Sequence, residues 1–121
     1  MIRKRGSYPV EVIEKMRGGA GEFHIEHILS RPELGSAGRL FSWGTLKSGH
    51  SVGMHTHEND MEICCFVSGS GVVAEPDGTR SQVGPGDTNY VPKGASHEII
   101  NTGSEDLVYL ACVLYPDGQP V

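Results

Sequence analysis

From residue 39 onward the sequence reads as strand after strand, in short pieces bounded by Gly and Pro. Segments 39–47, 51–57, 61–67, 72–75, 80–83, 89–91, 97–101 and 107–114 are the expected strands. Between them lie turn-forming groups: Pro76-Asp77-Gly78-Thr79, where Pro fixes φ and Gly accepts a left-handed conformation, Gly84-Pro85-Gly86-Asp87, and the polar run 101–106. Short antiparallel strands without an intervening helix must close on themselves, so the expected class is all-β, a barrel or a double-sheet jelly roll. A total of 17 Gly and 7 Pro with 21% charged residues suits that class better than a helix bundle.

Ahead of this region, residues 1–21 read as an arm. Tyr8 is held extended by Pro9. Residues 10–16 fit a strand or one helical turn, and Gly18-Gly19-Ala20-Gly21 is a flexible break. The run EFHIEHILS alternates, with Phe23, Ile25, His27 and Leu29 on one face and His24, Glu26 and Ile28 on the other. His24 and His27 are expected as surface or rim histidines, since neither has a partner at ligand spacing. Ser30 to Leu34 predicts a capped helical turn with Ser30 as N-cap and Glu33 at N3. The chain thus divides into an arm and first strand, 1–38, packing on the barrel or on a partner subunit, and a barrel, 39–121.

With 121 residues the chain fits one domain and one core. A formal net charge of −5, with Arg3-Lys4-Arg5 as the only basic run, argues against nucleic acid as a partner. No apolar run approaches the ~18 residues of a membrane span. The start has positive charge but no apolar core of a signal peptide. Three cysteines, two of them adjacent, make no disulfide framework, so a reducing cytoplasm is the expected location.

The residues that carry chemistry are His55, His57 and Glu62, with His97 downstream. On a strand, His55 and His57 point to the same side. Four residues separate His57 from Glu62, enough for a turn that brings the next strand back alongside. His97 opens a later strand just after the corner Pro92-Lys93-Gly94. Three imidazoles and a carboxylate gathered in an apolar barrel would be costly without a cation. They leave two positions of an octahedron open, and Mn, Fe, Ni, Co and Zn all accept such a set.

Gly49, five residues, His55, one, His57, four, Glu62, six, Gly69 resembles the first motif of the cupins. Gly86, five residues, Pro92, one, Gly94, two, His97, three, Asn101 resembles the second. The intervening 16 residues match the short spacer of small microbial single-domain cupins, and MRGGAGEFHIEHIL looks like the leader of such proteins. The resemblance implies a conical double-stranded β-helix (jelly-roll, cupin barrel) with an N-terminal arm. It also implies one divalent metal ion on His55, His57, Glu62 and His97, and a homodimer.

Alternation from Glu62 places Cys64 and Phe66 on the metal-facing side, and from His97 it places Ile99 and Asn101 inward. Trp43, Met54, Tyr90 and Tyr109 are further expected wall residues. The pocket is then mainly apolar and suits a small, partly apolar organic ligand that chelates the metal. Cys64 and Cys65 are expected as small buried hydrophobes rather than redox thiols, and Met16, Met54 and Met61 as packing residues. Asp87 is expected to bond its own turn, and Glu58 and Asp60 to face water. No catalytic residue is identifiable beyond Tyr hydroxyls and metal-bound water. Three functions fit: a metal-dependent dioxygenase, decarboxylase or isomerase acting on a small chelating substrate; a non-catalytic small-molecule or sugar-binding module; and a fold merely stabilised by its ion. Oxalate-decarboxylating relatives carry Arg where this chain has Val52, and no replacement Arg is expected in the pocket by parity.

Overall fold

The structure, a computed structural model, describes residues 1–120. Its strands are β1 (Val10–Glu14), β2 (Glu22–Leu29), β3 (Gly38–Leu46), β4 (Ser51–Thr56), β5 (Met61–Ser68), β6 (Gly71–Ala74), β7 (Arg80–Val83), β8 (Thr88–Val91), β9 (Ser96–Ile100) and β10 (Leu107–Leu114). Each strand expected from residue 39 onward is present, shifted by at most one residue at either end. They form two antiparallel sheets, in the orders β1-β2-β3-β10-β5-β8 and β4-β9-β6-β7, packed as a jelly-roll barrel. No helix among the described residues is long and apolar enough to cross a membrane.

Strict alternation builds the interior. On β5, Glu62, Cys64 and Phe66 are buried while Met61, Ile63 and Cys65 are only partly covered. On β10 it is Leu107, Tyr109, Ala111 and Val113 that turn inward. Facing them on β3 are Leu46, Gly44, Ser42 and Leu40, in the register Leu107↔Leu46, Tyr109↔Gly44, Ala111↔Ser42 and Val113↔Leu40. Gly44 has a packing reason: a Cβ there would sit 2.7 Å from the Phe23 ring, which stacks on Tyr109 with centroids 5.8 Å apart. Leu46, Leu107, Tyr109, Ala111 and Phe23 form one core with Val52, Val73 and Ile99.

The N-terminal segment takes the strand alternative at residues 10–14 and then a 3-10 turn, Met16–Gly18. β1 pairs with β2 of its own chain, Val12↔His24, and so extends the six-stranded sheet at its edge. The turn is clasped onto β4: Ser51 N–H donates to Ala20 O at 2.9 Å, and Ala20 N–H to Ser51 Oγ at 2.8 Å. Two glycines permit this crossing, since a Cβ on Gly53 would collide with Arg17 O and one on Gly19 with Ser51 O. The expected helical turn is α1 (Arg31–Leu34), with the reciprocal Ser30–Glu33 capping box in place.

Candidate metal centre

Two local devices aim the ligands. β4 and β9 pair as Val52↔Ile99 and again as His55↔His97, with a register shift between, so Val52 and His55 face inward although three positions apart. This β-bulge re-aims the strand. Beyond it, His57 is fixed by its own backbone: its N–H donates to Ala95 O at 2.9 Å, and Gly94 N–H donates to His57 O at 2.6 Å. The Pro92-Lys93-Gly94 corner therefore holds the second histidine as well as introducing the third.

The four side chains expected to meet do meet. His55, His57, Glu62 and His97 each offer one ligand atom within 4.8 Å of all the others. The Nε2 of His97 lies 3.2 Å from that of His55 and 3.3 Å from that of His57, and 2.9 Å from Glu62 Oε1. Nitrogens held about 2.1 Å from one ion would be roughly 3.0 Å apart across a right angle and roughly 3.4 Å across a tetrahedral one. The two nitrogen–nitrogen separations fall between these.

Proton placement supports the same conclusion. Each imidazole engages an acceptor through Nδ1: His55 with Gly53 O at 2.7 Å, His57 with Asp60 Oδ1 at 2.6 Å and His97 with Asn89 Oδ1 at 2.7 Å. With Nδ1–H donating outward, three bare Nε2 lone pairs converge on one point beside a carboxylate. Such lone pairs repel unless a cation or a proton stands among them, so the donor set fits a divalent ion. Burial lowers the pKa of His55, despite the hydrogen bond to Gly53 O, and so favours its neutral ligating form. Burial also opposes charge on His57, but the Glu62 and Asp60 carboxylates outweigh it and raise its pKa. For Glu62 burial works against ionisation, yet His57 and His97 hold the carboxyl well below its ordinary range, ready as an anionic ligand.

The quartet opens into a cavity of about 250 Å³. Ile99 and Tyr109 line it as expected, and His27, anticipated at the surface or rim, stands in its wall paired with Glu11 at 2.9 Å. Other expected wall residues lie elsewhere. Trp43 sits on the outer face of β3, opposite Leu110 rather than an inward residue, with the Arg5 guanidinium 4.4 Å above its ring. Tyr90 pairs with Ile63 on the outer face and is 58% exposed. Met54 is turned out by the β4 bulge. Cys64 and Phe66 face inward but are buried in the core outside the cavity lining, and burial raises the Cys64 thiol's pKa well above the ordinary value.

Two further corrections concern charged residues. Asp60 does not face water: it is buried, and its carboxylate bridges His57 Nδ1 and Arg39 Nε, each at 2.6 Å. The cavity also contains arginine, because Arg17, Arg31 and Arg39 all line it. Arg39 is the extra residue of a bulge, since Val113 pairs with Leu40 and Leu114 with Gly38. Asn89 holds His97 through its Oδ1 at 2.7 Å. Only its inward parity on β8, opposite Cys64, signals a role. Asp87 does bond its own turn, accepting from Gly84 N–H at 2.9 Å.

Residues 42–113 match the family model described as the cupin domain. The chain is 37% identical over 114 residues to the oxalate-binding protein of Thermotoga maritima, covering 94% of this chain and 93% of that protein. A crystal structure described as a predicted oxalate decarboxylase from Thermotoga maritima superposes with a TM-score of 0.88 at 37% identity, over 95% of this chain and 99% of that one. The polyketide cyclase RemF of Streptomyces resistomycificus shares the fold at 21% identity, with a TM-score of 0.77 over 100% of this chain and 86% of that one.

Proposed function

We propose, on the premise that this chain belongs to the cupin family, that His55, His57, Glu62 and His97 hold one divalent transition metal ion, Mn, Fe, Ni, Co or Zn, at which a small chelating carboxylate binds. One observation carries this reading: Arg39 enters the same cavity as the quartet with only its Nε engaged, by Asp60. Its two terminal nitrogens have no hydrogen-bond partner among the described residues, leaving donors free for a carboxylate at the metal. Asp60 fixes that guanidinium and His57 together, so the anion-binding group and one ligand share a support. A bound ion would polarise the coordinated oxygens and stabilise negative charge developing on the substrate. His57, Glu62 and His97 are buried and His55 is partly covered, which limits the access of bulk water to that ligand.

Chemistry of the dioxygenase, decarboxylase or isomerase type is consistent with this site. Binding without turnover is the second reading. It draws support from the relative named for binding oxalate and from Tyr109, a cavity-lining hydroxyl whose burial raises its pKa well above the ordinary value and so holds its proton in place. Metal analysis, then calorimetry with oxalate on the Mn, Fe, Ni, Co and Zn forms, tests the common part. Oxalate binding that needs both the metal and Arg39, and is weakened in Arg39→Gln, supports the reading; binding indifferent to metal refutes it. Product analysis and O2 uptake on the same samples separate enzyme from binding module.

We also propose a homodimer, joined through the outer face of the six-stranded sheet. Trp43, Ile63, Cys65, Leu110 and Cys112 are only partly covered there, and Tyr90 is exposed. A sedimentation experiment giving a monomer at micromolar concentration would exclude it.

A further inference from the structure

The cavity is much larger than its metal end. Register relations across the six-stranded sheet trace its floor away from the ion. Glu62 on β5 lies opposite Val113 on β10 and Val113 opposite Leu40 on β3, while β2 adds Leu29 opposite Phe41 and, farther along the strand, Ile25 opposite Gly44. Neighbouring strands are about 4.8 Å apart, so β2 lies three spacings, roughly 14 Å along the sheet, from the strand that carries Glu62. Val113 and Ile25 are buried, and Ala111 beside them presents only a methyl group. His27, paired with Glu11, stands between Ile25 and Leu29 on β2 and gives the floor a polar border on that strand. A two-carbon dicarboxylate held between the metal and Arg39 would leave the whole apolar stretch in contact with water.

Resting on the carboxylate reading above, we propose that the ligand is a 2-oxo or 2-hydroxy carboxylate bearing a branched aliphatic or aryl tail. Its vicinal oxygens would coordinate an ion held by the quartet, its carboxylate would meet Arg39, and its tail would lie over Val113 and Leu40 toward Ile25. The arrangement separates the two demands on the site. Chelation and the guanidinium recognise the head, which oxalate shares. Only the apolar floor distinguishes one tail from another, and each additional methylene it covers strengthens binding by a few-fold.

Calorimetry on the full-length, Mn-loaded protein with oxalate, pyruvate, 4-methyl-2-oxopentanoate and phenylpyruvate tests this. The larger two 2-oxo acids are expected to bind about tenfold or more tighter than pyruvate, and tighter than oxalate. In Ala111→Leu, which fills the floor, the ratio of 4-methyl-2-oxopentanoate to pyruvate affinity should collapse toward one. In Ile25→Ala the ratio should fall as well, which guards against a single variant that fails to fold; melting curves report folding of both. Oxalate or pyruvate binding as tightly as the larger acids would overturn the inference while leaving the carboxylate reading intact. If none of the four binds the loaded protein, the carboxylate reading itself falls.

Discussion

Replacing Asp60 isolates the link between ligand geometry and cavity charge. Its carboxylate accepts from the buried His57 Nδ1–H and from Arg39 Nε–H, each at 2.6 Å, and its side chain is 10% exposed. In Asp60→Ala the His57 donor loses a charged acceptor in a site that water hardly reaches, a loss of about 1.5–3 kcal/mol. Arg39 is 31% exposed at its side chain and regains hydration, so its half of the bridge adds only about 0.5 kcal/mol. The sum, roughly 2–3.5 kcal/mol, corresponds to a Tm lowered by roughly 7–15 °C for a domain of this size. Freed of its acceptor, the His57 ring can rotate or take the other tautomer, and metal affinity should fall about 10–100-fold. Asp60→Asn should lie between: its oxygen can still accept from His57, but its amide then faces the Arg39 Nε–H, donor against donor. Competition against a metal-sensitive indicator and differential scanning calorimetry measure the two effects. Metal affinity in Asp60→Ala within about twofold of the parent would refute the view that Asp60 orients His57.

Other expectations follow from single features. Arg3, with help from the backbone N–H and hydroxyl of Ser30, holds the exposed Glu33 carboxyl down at about 2 from an ordinary 4.5. A folded-state pKa below the unfolded one means stabilisation present above 4.5 and lost as the pH falls toward 2, so the contact between residues 1–8 and α1 should loosen in that window; an NMR titration of Glu33 with a midpoint near 4.5 would contradict it. Gly53→Ala forces a methyl against Arg17 O in a clasp with little room to move; a loss of about 2–3 kcal/mol and weaker metal binding through the adjacent His55 are expected by denaturant titration and metal analysis. Ser42 is 1% exposed and its hydroxyl has no partner among the described residues, so Ser42→Ala should be neutral or stabilise by up to about 1 kcal/mol; a clear loss of stability would show that the hydroxyl is bonded.

Why Asp60 and Arg39 escaped a reading that found the ligands is a matter of where two-residue periodicity holds. Deeper in the barrel, Tyr109, Cys64, Phe66 and Ile99 turn inward as expected because one face of each strand is packed, even though β10 slips against β5 between Val108 and Tyr109. Toward the mouth three strand pairs slip register: β3 against β10 at Arg39, β2 against β3 between His27 and Leu29, and β4 against β9 between Val52 and His55. Each slip defeats parity where it occurs. Arg39 enters the cavity together with its neighbour Leu40, and Met54 leaves it. Nothing in the residue types announces a bulge, since its position is set by how two distant strands meet.

The metal ligands were legible for a different reason. Two histidines one residue apart, a carboxylate five positions later and a third histidine after a Pro-Gly corner are recognised by donor type and spacing, and they remain recognisable whichever way the strand is bent. Groups that support ligands have no such signature. An Asp three residues after His57 looks like any loop carboxylate until the turn 57–60 folds it back onto the imidazole, where it is buried and paired. The irregularities that hid these groups also serve the site. A regular strand would put Val52 and Met54 on one face and His55 on the other; the bulge puts Val52 beneath the ligands and His55 among them. Ligand aim and cavity charge therefore depend on the same departures from regular pairing, and a substitution that restored regular register at the mouth would be expected to disable both at once.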